Sequence, residues 1–529
     1  MRVYSTQATF HLALASLAMV CLGVVTQTPE AVVFGGSMLL VVGAERLWSR
    51  MSARELRRSG FEMIWLAPRK VLRTTRGGIV EVKAELRNKS GVDLRAIDIR
   101  AVASSMLEAT THPATLDVPA WSSTEVTVSI RAKRVGRWGL HGLALEVRPT
   151  HLSGEAPYEA PLMFASPFGI EVFPKSPPLS PIRHLGGRSR KGVETGRPAR
   201  FAGEGENLRE LRELVPGDPF KRIAWRASAR RGKLLVRELE RNERDVVWLV
   251  VDASVDLWSG APGEAPLDRT LDEVYALAEK LLRRGDRVGL VVTASRLRSW
   301  IPPDQGLAHA GSIAAALASA AGTVDEDRSD LDEQEVAYRV YEHARPLDSR
   351  AIADVKPREL DLLAIRVAPL RSRAPFSPRL PFARTARDQT FRHYLASFGI
   401  ELPPRAEGEY DRAHHAMVGI VERILREKHK PSQVHIFSSP PSPGAPIFAM
   451  LRRLRNKKIG VSWTLPAEMT VPTATARAEV REVEIAVPTP GETSLSAVVR
   501  TLITMRTKHS KLRAERMLRS MGVRSRSRF

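Results

Sequence analysis

The stretch VVWLVVDASVDLW, residues 246–258, runs apolar for six positions and then presents Asp252, Ser254 and Asp256 in alternation. Oxygen-bearing side chains at the tip of a buried strand have two uses. Alternate residues of a loop leaving the strand can converge on one point and offer oxygens to a hard divalent cation, which prefers them. In open α/β sheets the crevice beyond the carboxyl ends of the strands is also where ligands bind. In the plainer use, Asp252 and Ser254 cap the next turn. Spacing alone leaves both readings open.

A second group is denser in charge. Arg222, Trp225, Arg226, Arg230, Arg231 and Arg237 form the most concentrated basic and aromatic cluster in the chain. Guanidinium groups there can grip carboxylates of a partner protein. They can equally pair with Glu206, Glu210, Glu213, Glu238 and Glu240 in the same segment and tie two domains together, with Trp225 as a packing anchor; we favour this internal reading. His414 and His415 are neighbours on an expected helix, so their side chains diverge by about 100° and do not share a metal easily; they are expected as ordinary surface or packing residues. No G-x-S-x-G elbow, Walker loop, H-E-x-x-H or C-x-x-C pattern occurs, and GEGEN at 203–207 lacks the third glycine and preceding strand of a dinucleotide fingerprint. Enzymatic chemistry has no visible carrier.

The elements that must position these residues follow from periodicity. From 246 onward long apolar strands alternate with helices, the pattern of a mainly parallel sheet covered on both faces. VVWLVVD leads to a helix at DRTLDEVYALAEKLLRRG with Asp268 as N-cap and Gly285 as stop; RVGLVVT and RLRSWIPP form a hairpin. A small-residue helix in GSIAAALASAAG, the strand QVHIFSS, the helix PIFAMLRRLRNKK, the strand IGVSWTLP and a last helix from about Leu495 complete the pattern. An insertion at about 331–410 holds two helical pieces, EVAYRVYEHA and TFRHYLASFG, and is too long for a plain loop. Upstream, Asp218 and Pro219 are placed to start a short helix through Arg230 that Gly232 ends, and KLLVRELE is expected to lie beside VVWLVVD as its neighbouring strand.

Before that, residues 175–207 are rich in Pro, Gly, Ser and Arg without a hydrophobic period and read as a connector. Residues 67–174 carry short alternating runs such as GIVEVKAELRNKS and STEVTVSIRAK, expected of an antiparallel sandwich. Gly136, Trp138 and Gly139 in KRVGRWGLHG, and Pro167 and Gly169 in SPFG, are expected as turn and packing residues.

At 529 residues, 43% hydrophobic and 26% charged, the chain is globular, and its single cysteine, Cys21, excludes disulfides and a Cys-based metal site. A formal charge of +22 favours anionic partners: phospholipid headgroups, acidic proteins or nucleic acid. Two apolar runs, ATFHLALASLAMVCLGVVTQ and AVVFGGSMLLVVGAE, flank a short TPE turn and read as a membrane hairpin, the second short of the usual ~20 residues. A cleaved signal peptide would want a basic start and a shorter apolar core, and would leave the second run without a purpose. Arg46, Arg50, Arg54, Arg57 and Arg58 follow the second run while the turn has no Lys or Arg, which places both ends in the cytoplasm. Between 508 and 528 the chain carries eight Lys or Arg against one Glu, a basic tail suited to an anionic leaflet or simply solvated, and poor in the aromatics that would favour nucleic acid.

These residues carry a resemblance. VVDASVD resembles the D-x-S-x-S loop of von Willebrand factor A-type domains, whose adhesion site holds magnesium with a threonine from a second loop and an aspartate from a third. LRELVPGDPFKRIAWRASARRGKLLVRELERNERDVVWLVVDAS is similar to the signature of the membrane-anchored bacterial family known as domain of unknown function 58. The resemblance implies an α/β von Willebrand factor A-like (Rossmann-like) domain plus an antiparallel β-sandwich, preceded by a transmembrane helical hairpin. The expected limits are 1–48 for the hairpin, 60–176 for an Ig-like sandwich and 177–245 for the linker and signature segment. The A-like domain follows over 246–466 with its insertion, then a C-terminal strand, helix and basic tail over 467–529. A degenerate magnesium site would use Asp252, Ser254, Asp256 and Thr323, with Ser329 close to the position of Thr323; Asp256 stands for the second serine of the loop, and Ser438 or Ser439 stands for the third-loop aspartate.

The expected function is a non-enzymatic adaptor at the inner (cytoplasmic) membrane, with its soluble domains in the cytoplasm. The resemblance implies a MoxR-type AAA+ ATPase as partner, docked at the strand-end surface around Asp252, Ser254 and Asp256. An envelope scaffold that binds lipid or cell-wall machinery through the sandwich and the basic tail is the alternative, and a metal-dependent hydrolase the last. No nucleic-acid partner is expected.

Overall fold

The computed structural model describes residues 4–67, 69–149, 158–176, 192–216, 218, 220–243, 245–258, 260–322, 324–405, 410–442, 444–465 and 512–527. After a two-residue strand β1 (Tyr4–Ser5) come helices α1 (Gln7–Val25) and α2 (Pro29–Ser59). Both contain a span long and apolar enough to cross a membrane, Gln7–Val25 and Pro29–Glu55. The apolar stretch at 31–45 is short for a span, but ERLWSRMSARELRR is made of good helix formers, so the helix runs on for 31 residues. Thr9, Ser16 and Gly23, seven apart on α1, are its buried residues, and such small side chains let two helices approach where lipid supplies no hydrophobic drive.

The sandwich uses strands β2 (Phe61–Trp65), β3 (Val71–Thr75), β4 (Ile79–Asn88), β5 (Leu94–Ala103), β6 (Leu107–His112), β7 (Thr115–Val118), β8 (Ser123–Ala132), β9 (Gly136–Pro149) and β10 (Tyr158–Phe173). One sheet has the order β2-β4-β8-β6; the other runs β1-β10-β9-β5-β7, with β3 also on β10. Period-two alternation decides which side is buried. Val82, Ala84 and Leu86 of β4 face inward beside Val126, Val128 and Ile130 of β8, while Glu81, Lys83, Glu125 and Arg131 stay exposed.

The segment expected as a connector is, from residue 192, the strand β11 (Gly192–Glu213), which forms an antiparallel ribbon with β12 (Leu235–Glu243) through several register shifts. Between them lie a 3-10 turn at Phe220–Arg222 and α3 (Trp225–Arg231), which Gly232 ends in the left-handed region. The expected pairing of KLLVRELE with VVWLVVD is therefore corrected. LVRELERNE alternates with charge and suits a half-wet ribbon, whereas β13 (Val246–Asp252) is apolar on both faces and takes both its neighbours from the main sheet. After α4 (Val255–Trp258), α5 (Pro266–Arg283) begins two residues before Asp268, with Pro at its first position. Asp268 is thus not the N-cap but sits one turn in, where its carboxylate accepts from the N–H groups of Gly263 (3.0 Å) and Ala265 (3.2 Å). The expected hairpin forms as β14 (Arg287–Thr293) and β15 (Leu297–Asp304), followed by α6 (Leu307–Ala320).

The insertion folds as α7 (Glu333–Leu347), α8 (Ser349–Ile352), α9 (Leu360–Val367) and α10 (Ala386–Phe398). It has a core of its own in Val336, Val340, Leu363, Val367, Phe391, Leu395 and Phe398. A buried Asp388–Arg392 pair (2.9 Å) ties α10 to the entering chain, since Arg392 also donates to the Leu331 carbonyl at 3.0 Å. Residues 322–403 group with 1–172 in one compact unit, and 173–321 with 404–529 in a second. The insertion interrupts the α/β domain in sequence but packs on the sandwich. Ser104 Oγ donates to the Gly399 carbonyl (2.6 Å) and accepts from the Gly139 N–H (3.1 Å). A Cβ on Gly139 would lie 2.3 Å from the Phe398 carbonyl oxygen, and one on Gly399, at φ +69°, 2.7 Å from the Gly139 nitrogen. Only two glycines allow backbones this close.

The second unit is completed by α11 (Tyr410–Arg426), β16 (Gln433–Phe437), α12 (Ile447–Asn456), β17 (Gly460–Leu465), a helix α13 (512–520) and β18 (Arg524–Ser527). The sheet order is β15-β14-β13-β16-β17-β18, parallel except for the edge strand β15. Trp248 and Trp463 are fully buried, and α11, α12 and α13 cover one face through Val421, Ile424, Leu451, Leu454 and Leu518. Within the basic tail, Leu518, Met521 and Val523 enter the core and 524–527 pair parallel with β17, so Arg524 and Arg526 stand on an edge strand, where charge discourages edge-to-edge pairing. The expected helix from about Leu495 lies outside the described residues.

Candidate functional site

From β13 the chain crosses through α5 to β14 on one side and returns as β16 on the other, so the carboxyl ends of β13 and β16 mark the point where the winding reverses. Asp252 stands there, 0% exposed. Its Oδ1 accepts from the Ser254 N–H at 2.9 Å, and its Oδ2 accepts from Ser438 Oγ at 2.7 Å. Trp463 Nε1 donates to the Ser438 carbonyl at 3.2 Å, and Ser254 and Ser439 are buried beside it. Asp256 falls in α4, but its side chain lies outside the described residues, as does Thr323. Ser329 is buried in the other unit, where its Oγ accepts from the Leu331 N–H. The described donors thus offer one carboxylate with both oxygens engaged, and among the described residues no group of three His, Cys, Asp or Glu is arranged to hold a metal. Magnesium wants six oxygens in near-octahedral order, and of the four expected ligands only Asp252 and Ser254 have described side chains. Close by, His414 is buried against Trp463 with its ring nitrogens unpartnered among the described residues, while His415 is exposed, as the divergence of neighbouring helical side chains requires.

The signature segment is built the opposite way. Asp218 does not cap a helix. It holds Arg212 in a two-pronged pair (2.8 and 2.6 Å) and accepts from the Val215 N–H (2.9 Å), and the Arg212 hydrogen bond keeps its carboxyl below the usual carboxylate range. Pro219 lies outside the described residues. α3 is anchored by buried Ile223 and Ala224 and by Ser228, whose Oγ accepts from the Leu235 N–H at 2.8 Å. On this fixed frame Trp225 is 61% exposed and Phe220 76% exposed, with Val215 and Leu234 exposed as well. Lys221, Arg226, Arg230, Arg231 and Arg237 are exposed around them, and Arg222 is half-buried. Trp225 is therefore no packing anchor: the short helix turns Ser228, not the indole, toward the ribbon. Of the acids expected to neutralise the cluster, Glu213 pairs with Lys233 at 2.9 Å; the side chains of Glu206, Glu210, Glu238 and Glu240 lie outside the described residues. Among the described residues Arg226, Arg230 and Arg231 make no ion pair.

A third cluster was invisible in the sequence, because its members come from distant segments. His141 of β9 and His343 of α7 stack edge to face with ring centroids 5.1 Å apart, and His343 Nδ1 shares a hydrogen bond with the Tyr394 hydroxyl at 3.0 Å. Glu401 accepts from the Ser105 N–H (2.7 Å) and hydroxyl. Among the described residues His141 Nδ1 and Glu401 Oε2 are buried without a hydrogen-bond partner. Burial pushes His141 down to about 4 and His343 to about 3, so both rings are neutral at pH 7.

No curated protein matches the chain. Among solved structures, the ASH/PapD-like domain of human CEP192 is similar at 13% identity and a TM-score of 0.16, over 22% of this chain and 85% of that one. The C. elegans MSP family member WR4 is similar at 7% identity and a TM-score of 0.15, over 22% and 96%. The secreted serine protease VesC from Vibrio cholerae aligns at 13% identity and a TM-score of 0.16, over 24% and 26%. These likenesses carry no functional information. Residues 210–346, which take in the exposed aromatic patch, Asp252 and most of α7, match the family described as protein of unknown function DUF58.

Proposed function

We propose that the chain is a membrane-anchored, non-enzymatic adaptor that works at the inner (cytoplasmic) membrane with a MoxR-type AAA+ ATPase in the assembly or maturation of client complexes. The observation that carries the docking half is the exposure of Trp225 and Phe220 on an anchored segment, ringed by Lys221, Arg226, Arg230 and Arg231. Aromatic and arginine residues presented together are what binding hot spots are made of, and this charge calls for an acidic face on the partner. The docking surface accordingly moves from the strand ends to this patch.

Several features support the rest of the reading. The strand order, with one antiparallel edge strand and helices on both faces, suits a von Willebrand factor A-like domain. Two apolar helices joined by a short turn suit an anchor. Tyr4 and Ser5, before the hairpin, pair with Tyr158 and Glu159 of the sandwich after it, which suits both ends on one side of a bilayer. The side is cytoplasmic by the excess of arginines in the second half of α2, beyond its apolar run.

Co-purification from native membranes tests this. An AAA+ ATPase should be enriched with the full chain over a hairpin-only control, and Trp225→Ala with Phe220→Ala should abolish the enrichment. Failure to enrich an ATPase removes the partner; enrichment indifferent to the two substitutions removes the patch.

A further inference from the structure

In the first unit an open cavity of about 640 Å³ lies between the sandwich and the loop joining α9 to α10, with Arg69, Leu72, Arg73, Arg137, Glu171 and Phe376 in its wall. Glu171 is buried and accepts from Nε of Arg73 and Nε of Arg137, both at 3.1 Å. The carboxylate therefore orients two guanidinium groups, and the terminal nitrogens of Arg137 have no partner among the described residues. Arg69 has none either. Three cations against one anion leave the wall positive, over an apolar floor of Leu72 and Phe376. The cavity is preformed: Lys70 Nζ donates to the Ala374 carbonyl at 3.1 Å and the Phe376 N–H to the Ser397 carbonyl at 3.1 Å, fixing the loop on both sides.

Guanidinium groups match the planar or tetrahedral oxygens of carboxylates and phosphates two bonds at a time, and pockets of this size that mix apolar walls with few convergent polar groups hold small molecules. We propose that this cavity binds a small organic anion, a phosphate or carboxylate group borne on an apolar body. Arg69, Arg73 and Arg137 take the oxyanion, Leu72 and Phe376 take the apolar body, and Glu171 is a positioning residue. Because the wall comes from both the sandwich and the loop between α9 and α10, the bound anion also clamps the insertion to the sandwich. The site is independent of the patch at Trp225.

Calorimetric titration of the full chain in detergent micelles, at constant ionic strength, tests this with phenyl phosphate, benzoate and inorganic phosphate. Phenyl phosphate or benzoate should bind saturably, the better of the two identifying the oxyanion, and about tenfold more tightly than inorganic phosphate because the ring is buried. Arg69→Ala, which leaves the pairs of Glu171 intact, should weaken binding about threefold or more, and Arg69→Ala with Arg73→Ala about tenfold or more. Since the chain carries +22 overall, Arg452→Ala with Lys457→Ala removes the same charge elsewhere and should change nothing. No saturable heat, equal affinity for phenyl phosphate and inorganic phosphate, or equal weakening by the control pair overturns the proposal.

Discussion

The strand-end group at Asp252 and the short helix at Trp225 are twenty-odd residues apart in one unit, and they spend their side chains in opposite ways. At the strand end a carboxylate, two serines and an indole N–H satisfy one another away from solvent. On the helix the polar contacts of Asp218 and Ser228 hold the backbone, and the two aromatic rings are left in water. A cluster of oxygens is thus weak evidence of a site until its own donors have been counted. An exposed aromatic on a fixed frame is stronger evidence, because leaving that much apolar surface in water forgoes stability and the frame excludes fraying as its cause.

The largest effect that would break this contrast belongs to Asp252. Asp252→Ala leaves the Ser254 N–H and the Ser438 hydroxyl buried without acceptors, at about 1–3 kcal/mol each. Urea denaturation of the full chain in micelles should register a loss of about 2–6 kcal/mol, with near-UV circular dichroism reporting the Trp463 environment. A variant as stable as the parent would mean that the strand end is not closed on itself and would return it to the list of surfaces.

Between the two extremes stands the histidine pair, buried like Asp252 but incompletely partnered. His141 and His343 have folded-state values of about 4 and 3, well below the ordinary 6.5, because burial disfavours the cation. A lowered value means that the unfolded chain binds protons first. Their neutral state costs nothing above pH 6.5, and stability falls as the pH drops from 6.5 toward 4. For His141, a displacement from 6.5 to about 4 corresponds to about 3 kcal/mol by the acid end. Limited proteolysis of the loop after α9 should accelerate over that interval, and His343→Phe should flatten the dependence. Cleavage that is indifferent to pH between 7 and 4 would show that the insertion is not held against the sandwich through these rings.

Much of the scaffold was legible in the sequence. Period-two alternation in β4 and β8 and the continuous apolar run of β13 carry their burial on their face, and the Leu–Val–Leu spacing of α5 does the same for a covered helix. What failed to show depended on distant partners. The resemblance places Ser438 or Ser439 at the Asp252 site as a stand-in ligand, but nothing in the sequence announces that the Ser438 hydroxyl donates to that carboxylate. Nor do Gly139 and Gly399, each an ordinary turn glycine by its neighbours, disclose that they meet and seat the insertion on the sandwich. In the basic tail eight cations obscure three apolar residues: Leu518, Met521 and Val523 fall on one side of a short helix and turn, and this suffices to bring the described part of the tail, 512–527, onto the core.

The smallest effect on the fold should come from Trp225. A side chain 61% exposed loses little packing on truncation, so Trp225→Ala should shift stability by less than about 0.5 kcal/mol. Trp248→Ala, in the middle of the sheet, should cost about 3–5 kcal/mol. If Trp225 is spent on a partner, its removal should instead appear in association, where a central aromatic is worth about 2 kcal/mol or more, roughly a thirtyfold loss of capture at limiting bait. The two measurements must diverge on the same variant. Should Trp225→Ala destabilise the chain as Trp248→Ala does, the indole is holding the signature segment together, and the difference between a closed strand end and an open helix would be one of accessibility without any consequence for binding.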